Sequence, residues 1–180
     1  MHAIFPIQTL RAGAATATAV LIAAGAAACT VERAQAPAAG GNAAVAFDAT
    51  AWKPPAEADI PADSMGAAIR RGLALIRFTP ESLPQYVKSN MRCVSCHQND
   101  GTKSTAAPLT GAHARFPKYL SRSGSVITLA DRVNFCMTRS LAGTALPVDR
   151  REMDDILAYL AFISRDVPVG RKLTSADGLL

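Results

Sequence analysis

Apolar side chains recur at helical spacing in the first part of the chain that is not rich in alanine. The apolar positions of this stretch are Met65, Ile69, Leu73 and Ile76. With Asp63 or Ser64 as the cap, the spacing predicts a helix that ends near Arg77. Gly66 and Gly72 weaken helix propensity locally, but they would let another helix approach the backbone closely. We therefore expect this helix to pack tightly against a second one.

Two further stretches carry the same helical period. The apolar face of the second helix is Leu129, Val133 and Cys136, and that of the last helix is Met153, Ile156, Leu157, Leu160 and Ile163. The second helix is predicted over residues 129–139, with Thr128 available as its cap. The last is predicted over residues 149–165, where Asp149 and Glu152 resemble a capping box. No strand pattern and no internal repeat are visible, so the pattern predicts an all-α protein.

The two ends of the chain are predicted to lie outside the folded domain. Arg11, an alanine-rich apolar run and small residues before Cys29 indicate an export signal over residues 1–28. Residues 29–51 have too little periodic apolar surface to fold, and they predict a flexible tether. The folded domain is predicted over residues 52–165. A polar, mobile tail follows over residues 166–180.

Composition and charge limit the classes of function. The apolar content of 49% is inflated by alanine near the start of the chain, and no stretch has the roughly 20 strongly apolar residues of a membrane span. The formal net charge is +5 without any long Lys/Arg run. The sequence therefore indicates neither a membrane-spanning protein nor a nucleic-acid-binding one. About a hundred residues remain for a single core.

The chemistry of the chain centres on the run Cys93-Val94-Ser95-Cys96-His97. Cys-x-x-Cys-His is the attachment motif of c-type haem, in which two thiols bond the porphyrin and the histidine ligates the iron. A redox dithiol or half of a zinc site would need a thioredoxin-like pattern or a second Cys/His pair, and neither is present. Residues 103–126, rich in proline and glycine, are expected to wrap the haem edge as a loop. First and last helices packed around one covalently bound haem define an all-α, class I cytochrome c-like domain.

The sixth iron ligand is not decided by spacing. The candidates downstream of the motif are His113, Cys136, Met137 and Met153. Met153 belongs to the apolar stripe of the last helix, which favours a core position. Cys136 and Met137 are about 100° apart on one helix, so only one of them can face the iron. Cys136 has Arg132 and Arg139 as helical neighbours that would favour a thiolate, but a small buried hydrophobe is an equal alternative.

A long ordered series of residues resembles the haem domain of the thiosulfate dehydrogenase (tetrathionate-forming) cytochromes. The first half of the series is Pro54-Pro55, Ile60-Pro61, Gly66, Ile69-Arg70, Gly72, Leu75, Thr79-Pro80, Tyr86-Val87, Cys93, Cys96-His97, Gly101, Ala107-Pro108-Leu109 and Gly111. The second half is Phe116-Pro117-Lys118-Tyr119, Arg122, Gly124, Val126, Thr128-Leu129, Asp131-Arg132-Val133, Cys136, Arg139-Ser140, Gly143, Glu152-Met153 and Ala158-Tyr159. The series covers about residues 52–164, nearly the whole predicted domain.

The resemblance implies a set of roles. By this resemblance His97 is the proximal iron ligand and Cys136 the distal one, and Arg122 and Arg139 help to hold an anionic substrate beside the haem. Two features depart from the family pattern. The family enzymes typically carry two haem domains, whereas this chain has one Cys-x-x-Cys-His motif. The family's Ser-Met-Asn-Gly is replaced by Ser140-Leu141-Ala142-Gly143.

Basic residues cluster after the haem motif. They are Arg115, Lys118, Arg122, Arg132 and Arg139. Such a cluster would attract a small dianion such as thiosulfate. It would equally compensate the haem propionates or bind an acidic redox partner.

Two functions from different classes follow from the sequence. The first is a monohaem c-type cytochrome that transfers electrons outside the cytoplasm, in the periplasm, between redox partners of thiosulfate metabolism. The second is a haem-bearing catalytic domain or subunit that converts thiosulfate to tetrathionate, or the reverse, and passes electrons to a partner cytochrome. A thiolate-ligated haem that senses sulfur species or nitric oxide is a third option without specific support.

Cys29 generates a testable prediction about the membrane. A cysteine directly after small residues resembles the lipobox of a bacterial lipoprotein, although Ala26 stands where the usual leucine would be. Ordinary signal cleavage is the alternative, and it would leave an unpaired thiol. Lipidation predicts that the mature protein partitions into the detergent phase and that Cys29→Ala moves it into the aqueous phase. A parent protein already in the aqueous phase would exclude a lipid anchor.

Overall fold

The computed structural model describes residues 46–173. The predicted export signal, Cys29, most of the tether and the last seven residues lie outside the described residues, so those predictions stay predictions. The described helices are α1 (Ser64–Arg77), α2 (Thr79–Ser82), α3 (Cys93–Cys96), α4 (Leu129–Phe135) and α5 (Arg151–Phe162), and the strands are β1 (Lys118–Leu120) and β2 (Ser125–Ile127). Within this part of the chain, no helix is long and apolar enough to cross a membrane.

Helix α1 forms where the apolar period predicted it. The Asp63 carboxylate accepts a hydrogen bond from the Gly66 N–H at 2.8 Å, which confirms the predicted cap. The buried face of α1 packs against the buried face of α5 in the main core. The buried apolar side chains of the two helices are Ile69, Leu73, Leu75 and Ile76 on α1, and Met153, Ile156, Tyr159, Leu160 and Phe162 on α5. The predicted pairing of the first and last helices is confirmed.

The contact between α1 and α5 depends on a glycine. A Cβ atom added to Gly72 would lie 1.9 Å from the backbone oxygen of Asp155, so only glycine permits this approach. Arg71, the preceding residue, donates two hydrogen bonds of 2.7 Å to the buried carboxylate of Asp155. A bidentate pair of this kind fixes orientation as well as distance. The backbone contact and the ion pair together set how α5 lies on α1.

The region predicted to be irregular contains a short hairpin. Strands β1 and β2 are antiparallel, with Lys118 opposite Ile127 and Leu120 opposite Ser125. Gly124 has a φ of +65°, a left-handed conformation that glycine adopts without steric cost. Each strand has only three residues, too few to give a visible alternation of apolar and polar positions. The prediction of loop throughout this region was therefore wrong for these residues.

The two later helices differ from their predicted bounds. Helix α4 ends at Phe135, and the chain continues as one turn of π-helix over Cys136–Ser140. Thr128 caps α4 as predicted, accepting from the Asp131 N–H at 3.1 Å. Helix α5 starts at Arg151 without a side-chain cap, because its N-cap residue is Arg150 and a guanidinium cannot accept a hydrogen bond. The predicted capping box of Asp149 and Glu152 is not formed, and Glu152 pairs with Arg150.

Part of the predicted mobile tail packs on the domain. We call residues 167–173 the C-terminal strap. Val167 and Leu173 are buried against Ala49 and Ala114 in a second, smaller core. The Gly170 N–H donates to the Ala114 oxygen at 2.7 Å, which ties the strap to the segment before β1. Burial of these two apolar side chains explains why this stretch is ordered although its composition is polar.

The Gly72 contact gives a stability prediction. In a free helix, Gly→Ala stabilises by roughly 0.5–1 kcal/mol. Here we expect Gly72→Ala to reduce the free energy of unfolding by about 1–3 kcal/mol, because the added methyl group would force α5 away from α1. The measurement is chemical denaturation of the haem-loaded protein followed by circular dichroism. Ala67→Gly, at an exposed position of the same helix, reports the propensity effect alone. A Gly72→Ala protein as stable as the parent would contradict the tight crossing.

Candidate functional site

One cavity of about 410 Å³ brings together most of the chemistry-bearing residues. Its walls come from α3, the loop after His97, the segment leading into β1, one face of α4, and α5. The polar, thiol and thioether side chains that line it are Met91, Arg92, Cys93, Cys96, His97, Arg115, Lys118, Arg132, Cys136, Met137 and Ser140. Apolar side chains such as Ile76, Leu109, Val133 and Leu160 line the rest. The predicted motif and the predicted ligand helix therefore face the same space.

Cys93 and Cys96 stand at the two ends of the one-turn helix α3. The Thr79 hydroxyl accepts a hydrogen bond from the Cys93 N–H at 3.1 Å and lies 3.4 Å from the Cys93 sulfur. Burial raises the pKa of the Cys93 thiol, and the contact with Thr79 offsets part of that increase. Thr79 is itself buried, and its role in positioning Cys93 was missed by the sequence reasoning. A threonine fourteen residues before the motif gives no local signal of that contact.

His97 is oriented by a backbone carbonyl. Its Nδ1 contacts the oxygen of Ala107, and because a carbonyl can only accept, Nδ1 carries the proton. The Nε2 atom is then left with a lone pair, the form in which a histidine binds a metal. A ligand of this kind needs a fixed ring, and the contact with Ala107 supplies that restraint.

The loop that follows His97 is held on both sides. Arg77, at the end of α1, donates to both oxygens of the Asp100 carboxylate at 2.9 and 2.7 Å. Tyr159 of α5 donates to the Asp100 backbone oxygen at 2.8 Å, and burial raises the pKa of its hydroxyl. The packed helix pair thus positions the residues just after the motif.

Cys136 and Met137 both line the cavity, where the chain passes from α-helix into the π turn. Met137 is 1% exposed, and Cys136 is half-buried with its sulfur 3.3 Å from Nη1 of Arg132. The other two candidate ligands lie elsewhere. His113 is exposed and outside this cavity, and Met153 is fully buried in the main core, as its apolar stripe predicted.

Four cationic side chains line the cavity: Arg92, Arg115, Lys118 and Arg132. The Nε of Arg115 is buried without a hydrogen-bond partner, and burial together with the charge of Arg132 lowers the pKa of Arg115. Burial and the neighbouring cations also lower the pKa of Lys118. Arg92 is paired with Glu81, whereas no ion pair within residues 46–173 includes Arg115, Lys118 or Arg132.

The two arginines named by the resemblance lie outside the cavity lining. Arg122 is exposed in the turn between β1 and β2. Arg139 is exposed on the π turn, with its guanidinium carbon 5.8 Å from the centre of the Phe135 ring. Arg132, which the sequence analysis named as a helical neighbour of Cys136 and as a member of the basic cluster, is the cation that contacts its sulfur. Any role of Arg122 and Arg139 in holding an anion stays a prediction.

These residues fit a covalently attached haem. Two thiols and a histidine with a free Nε2 line one side of an apolar cavity, and a thiol and a thioether line the cavity as well. Cations with unpaired N–H groups suit the carboxylates that a haem carries. The volume lies within the roughly 300–1,000 Å³ common for cofactor sites.

Comparison with known proteins agrees with this geometry. Residues 85–169 match the family model "SoxA/TsdA, cytochrome c domain". The chain is 38% identical over 118 residues to a thiosulfate dehydrogenase of Psychrobacter arcticus, a match that covers 66% of this chain and 36% of that protein. It is 41% identical over 120 residues to a thiosulfate dehydrogenase of Allochromatium vinosum, covering 64% of this chain and 44% of the relative.

A solved structure shares the fold. The thiosulfate dehydrogenase (TsdBA) of Marichromatium purpuratum superposes with a TM-score of 0.64 at 23% identity, over 66% of this chain and 27% of the solved chain. The folded part of our chain is thus a c-type cytochrome domain with covalently bound haem c. Within that class it is a haem domain like that of the thiosulfate dehydrogenases, which confirms the resemblance seen in the sequence. The chain spans less than half the length of the two curated relatives described above.

Proposed function

We propose that this protein is a monohaem c-type cytochrome that transfers electrons outside the cytoplasm in thiosulfate redox metabolism. The observation that carries the proposal is the single cavity lined by Cys93, Cys96, His97 and Cys136. Support also comes from the SoxA/TsdA match over residues 85–169 and from the names of the relatives. When bound, haem supplies an iron centre that accepts and releases one electron. A partner cytochrome is the natural donor or acceptor.

Each protein residue has a distinct task in this proposal. Cys93 and Cys96 hold the haem covalently, and His97 is the proximal iron ligand, fixed by the carbonyl of Ala107. Cys136 would be the second protein ligand of the iron, and Nη1 of Arg132 donates a hydrogen bond to its sulfur at 3.3 Å. Met137, which also lines the cavity, is assigned to packing because it is almost wholly buried.

A catalytic domain is the second candidate function, favoured by the contact between Arg132 and Cys136. A guanidinium beside a haem ligand would hold a small dianion where the thiolate meets the cavity. Joining two thiosulfates into tetrathionate forms one S–S bond and releases two electrons, whereas one haem holds only one. Catalysis by this chain therefore needs an electron acceptor, such as a partner cytochrome. Arg122 and Arg139 would attract the dianion from outside the cavity.

The ligand assignment predicts a specific spectroscopic change. We expect ferric Cys136→Ala to lose the low-spin, thiolate-ligated electron paramagnetic resonance signal of the parent, because its distal sulfur is gone. Met137→Leu, at the adjacent residue that also lines the cavity, should keep the parent signal. An unchanged spectrum in Cys136→Ala would refute the thiolate ligand, and a change confined to Met137→Leu would assign the thioether instead.

The two functions predict different responses to thiosulfate. For an electron carrier, we expect the purified ferric protein to accept electrons from a reduced cytochrome while thiosulfate alone, added anaerobically, leaves the haem absorbance unchanged. Haem reduction with tetrathionate formation, at two electrons per tetrathionate, would favour the catalytic candidate. In that case Arg132→Leu should slow the reduction by about tenfold or more through lost attraction of the dianion. Arg122→Leu and Arg139→Leu test the outer arginines, with Lys88→Ala as an exposed control outside the cavity lining.

A further inference from the structure

Of the four cations that line the cavity, Arg92 is paired with a glutamate, and the catalytic candidate uses only Arg132. Arg132 is occupied with the sulfur of Cys136 at 3.3 Å. Arg115 and Lys118 come from the segment leading into β1 instead, and none of the ion pairs within residues 46–173 includes either of them. The Nε of Arg115 is buried and has no hydrogen-bond partner. A buried N–H left without a partner costs free energy, which an anion at this place would recover.

The fold holds this segment firmly in place. The C-terminal strap donates a hydrogen bond from the Gly170 N–H to the oxygen of Ala114, directly before Arg115. Leu173 of the strap packs so closely on Gly111 that an added Cβ would lie 3.0 Å from its Cδ1. Lys118 rests on the Phe116 ring at 4.9 Å from the ring centre. These contacts hold the backbone segment that carries the two cations in place beside the cavity.

We propose that Arg115 and Lys118 bind a propionate of the covalently attached haem and thereby raise the reduction potential of the haem. This role of Arg115 and Lys118 rests on the haem site of the proposed function and adds the residues that set the reduction potential of the haem. A carboxylate accepts two hydrogen bonds from the planar, multi-donor guanidinium of Arg115 and also neutralises its charge, whereas water does not neutralise it. Cations near the haem stabilise the reduced form, which carries one more negative charge than the oxidised form. Arg115 is thus a positioning and tuning residue and does not act as an iron ligand.

The test is equilibrium potentiometry of the haem-loaded protein without thiosulfate. We expect Arg115→Leu to lower the equilibrium constant for haem reduction about tenfold, a fall of about 59 mV for one electron. Arg115→Lys should recover most of the loss, because it keeps the charge. Lys88→Leu removes one positive charge from an exposed position outside the cavity lining and should shift the potential much less. If Arg115→Leu fails to fold, Lys118→Leu should give a smaller fall of the same sign.

A second measurement identifies the anion. Redox difference infrared spectra of protein with ¹³C-labelled haem propionates should show a carboxylate band that moves in Arg115→Leu and stays in place in Lys88→Leu. Unchanged propionate bands, with a band of added thiosulfate that moves instead, would assign Arg115 to the small dianion and overturn the proposal. An unchanged potential in a folded, haem-loaded Arg115→Leu protein would overturn it as well. The pyridine haemochrome spectrum reports haem attachment separately, so failure of the haem site itself would be distinguished.

Discussion

The close contact of α1 with α5 at Gly72 is the constraint on which the rest of the structure depends. It allows the two longest described helices to share one buried face, and the pair of Arg71 with Asp155 fixes their orientation. From that pair, Arg77 and Tyr159 reach the same residue, Asp100, and hold the loop that follows the haem motif. The packed helices thereby restrain the position of the loop next to His97, whose ring must be fixed to serve as a ligand. Core and site are linked by these contacts.

The sequence predicted those parts of the fold that depend on local period and on covalent chemistry. The helix from Ser64 to Arg77 was predicted closely, with Asp63 as one of two candidate caps, because its apolar face and its capping residues indicate the same bounds. The hairpin could not be predicted, since strands of three residues leave no pattern. The strap was missed for a different reason. Val167 and Leu173 are isolated apolar residues in a polar stretch, and only their tertiary contacts with Ala49 and Ala114 order it.

The candidate site was predictable to a similar extent. The roles of Cys93, Cys96 and His97 were predicted because haem attachment requires these residue types at this spacing. Cys136 and Met137 remained alternatives because a helical wheel places them 100° apart, whereas the structure has a π turn at that point and both side chains line the cavity. Backbone irregularities of this kind are common at functional sites and have no reliable sequence signal. Thr79 lies beyond local reasoning altogether, because it meets Cys93 only through the fold.

The distribution of positive charge also has a physical logic. Cations that line an apolar cavity are costly without a partner, so their presence implies anions. Arg132 already has the sulfur of Cys136 beside it at 3.3 Å, and in the proposed function that sulfur is a ligand of the haem iron. The buried Nε of Arg115 has no such partner, and its segment is tied to the C-terminal strap by the hydrogen bond between Gly170 and Ala114. Holding a cation in one position costs conformational entropy. An anion that is already held in place adds no further ordering cost when the two pair. A haem bonded to two cysteines has that property, whereas a freely diffusing dianion does not.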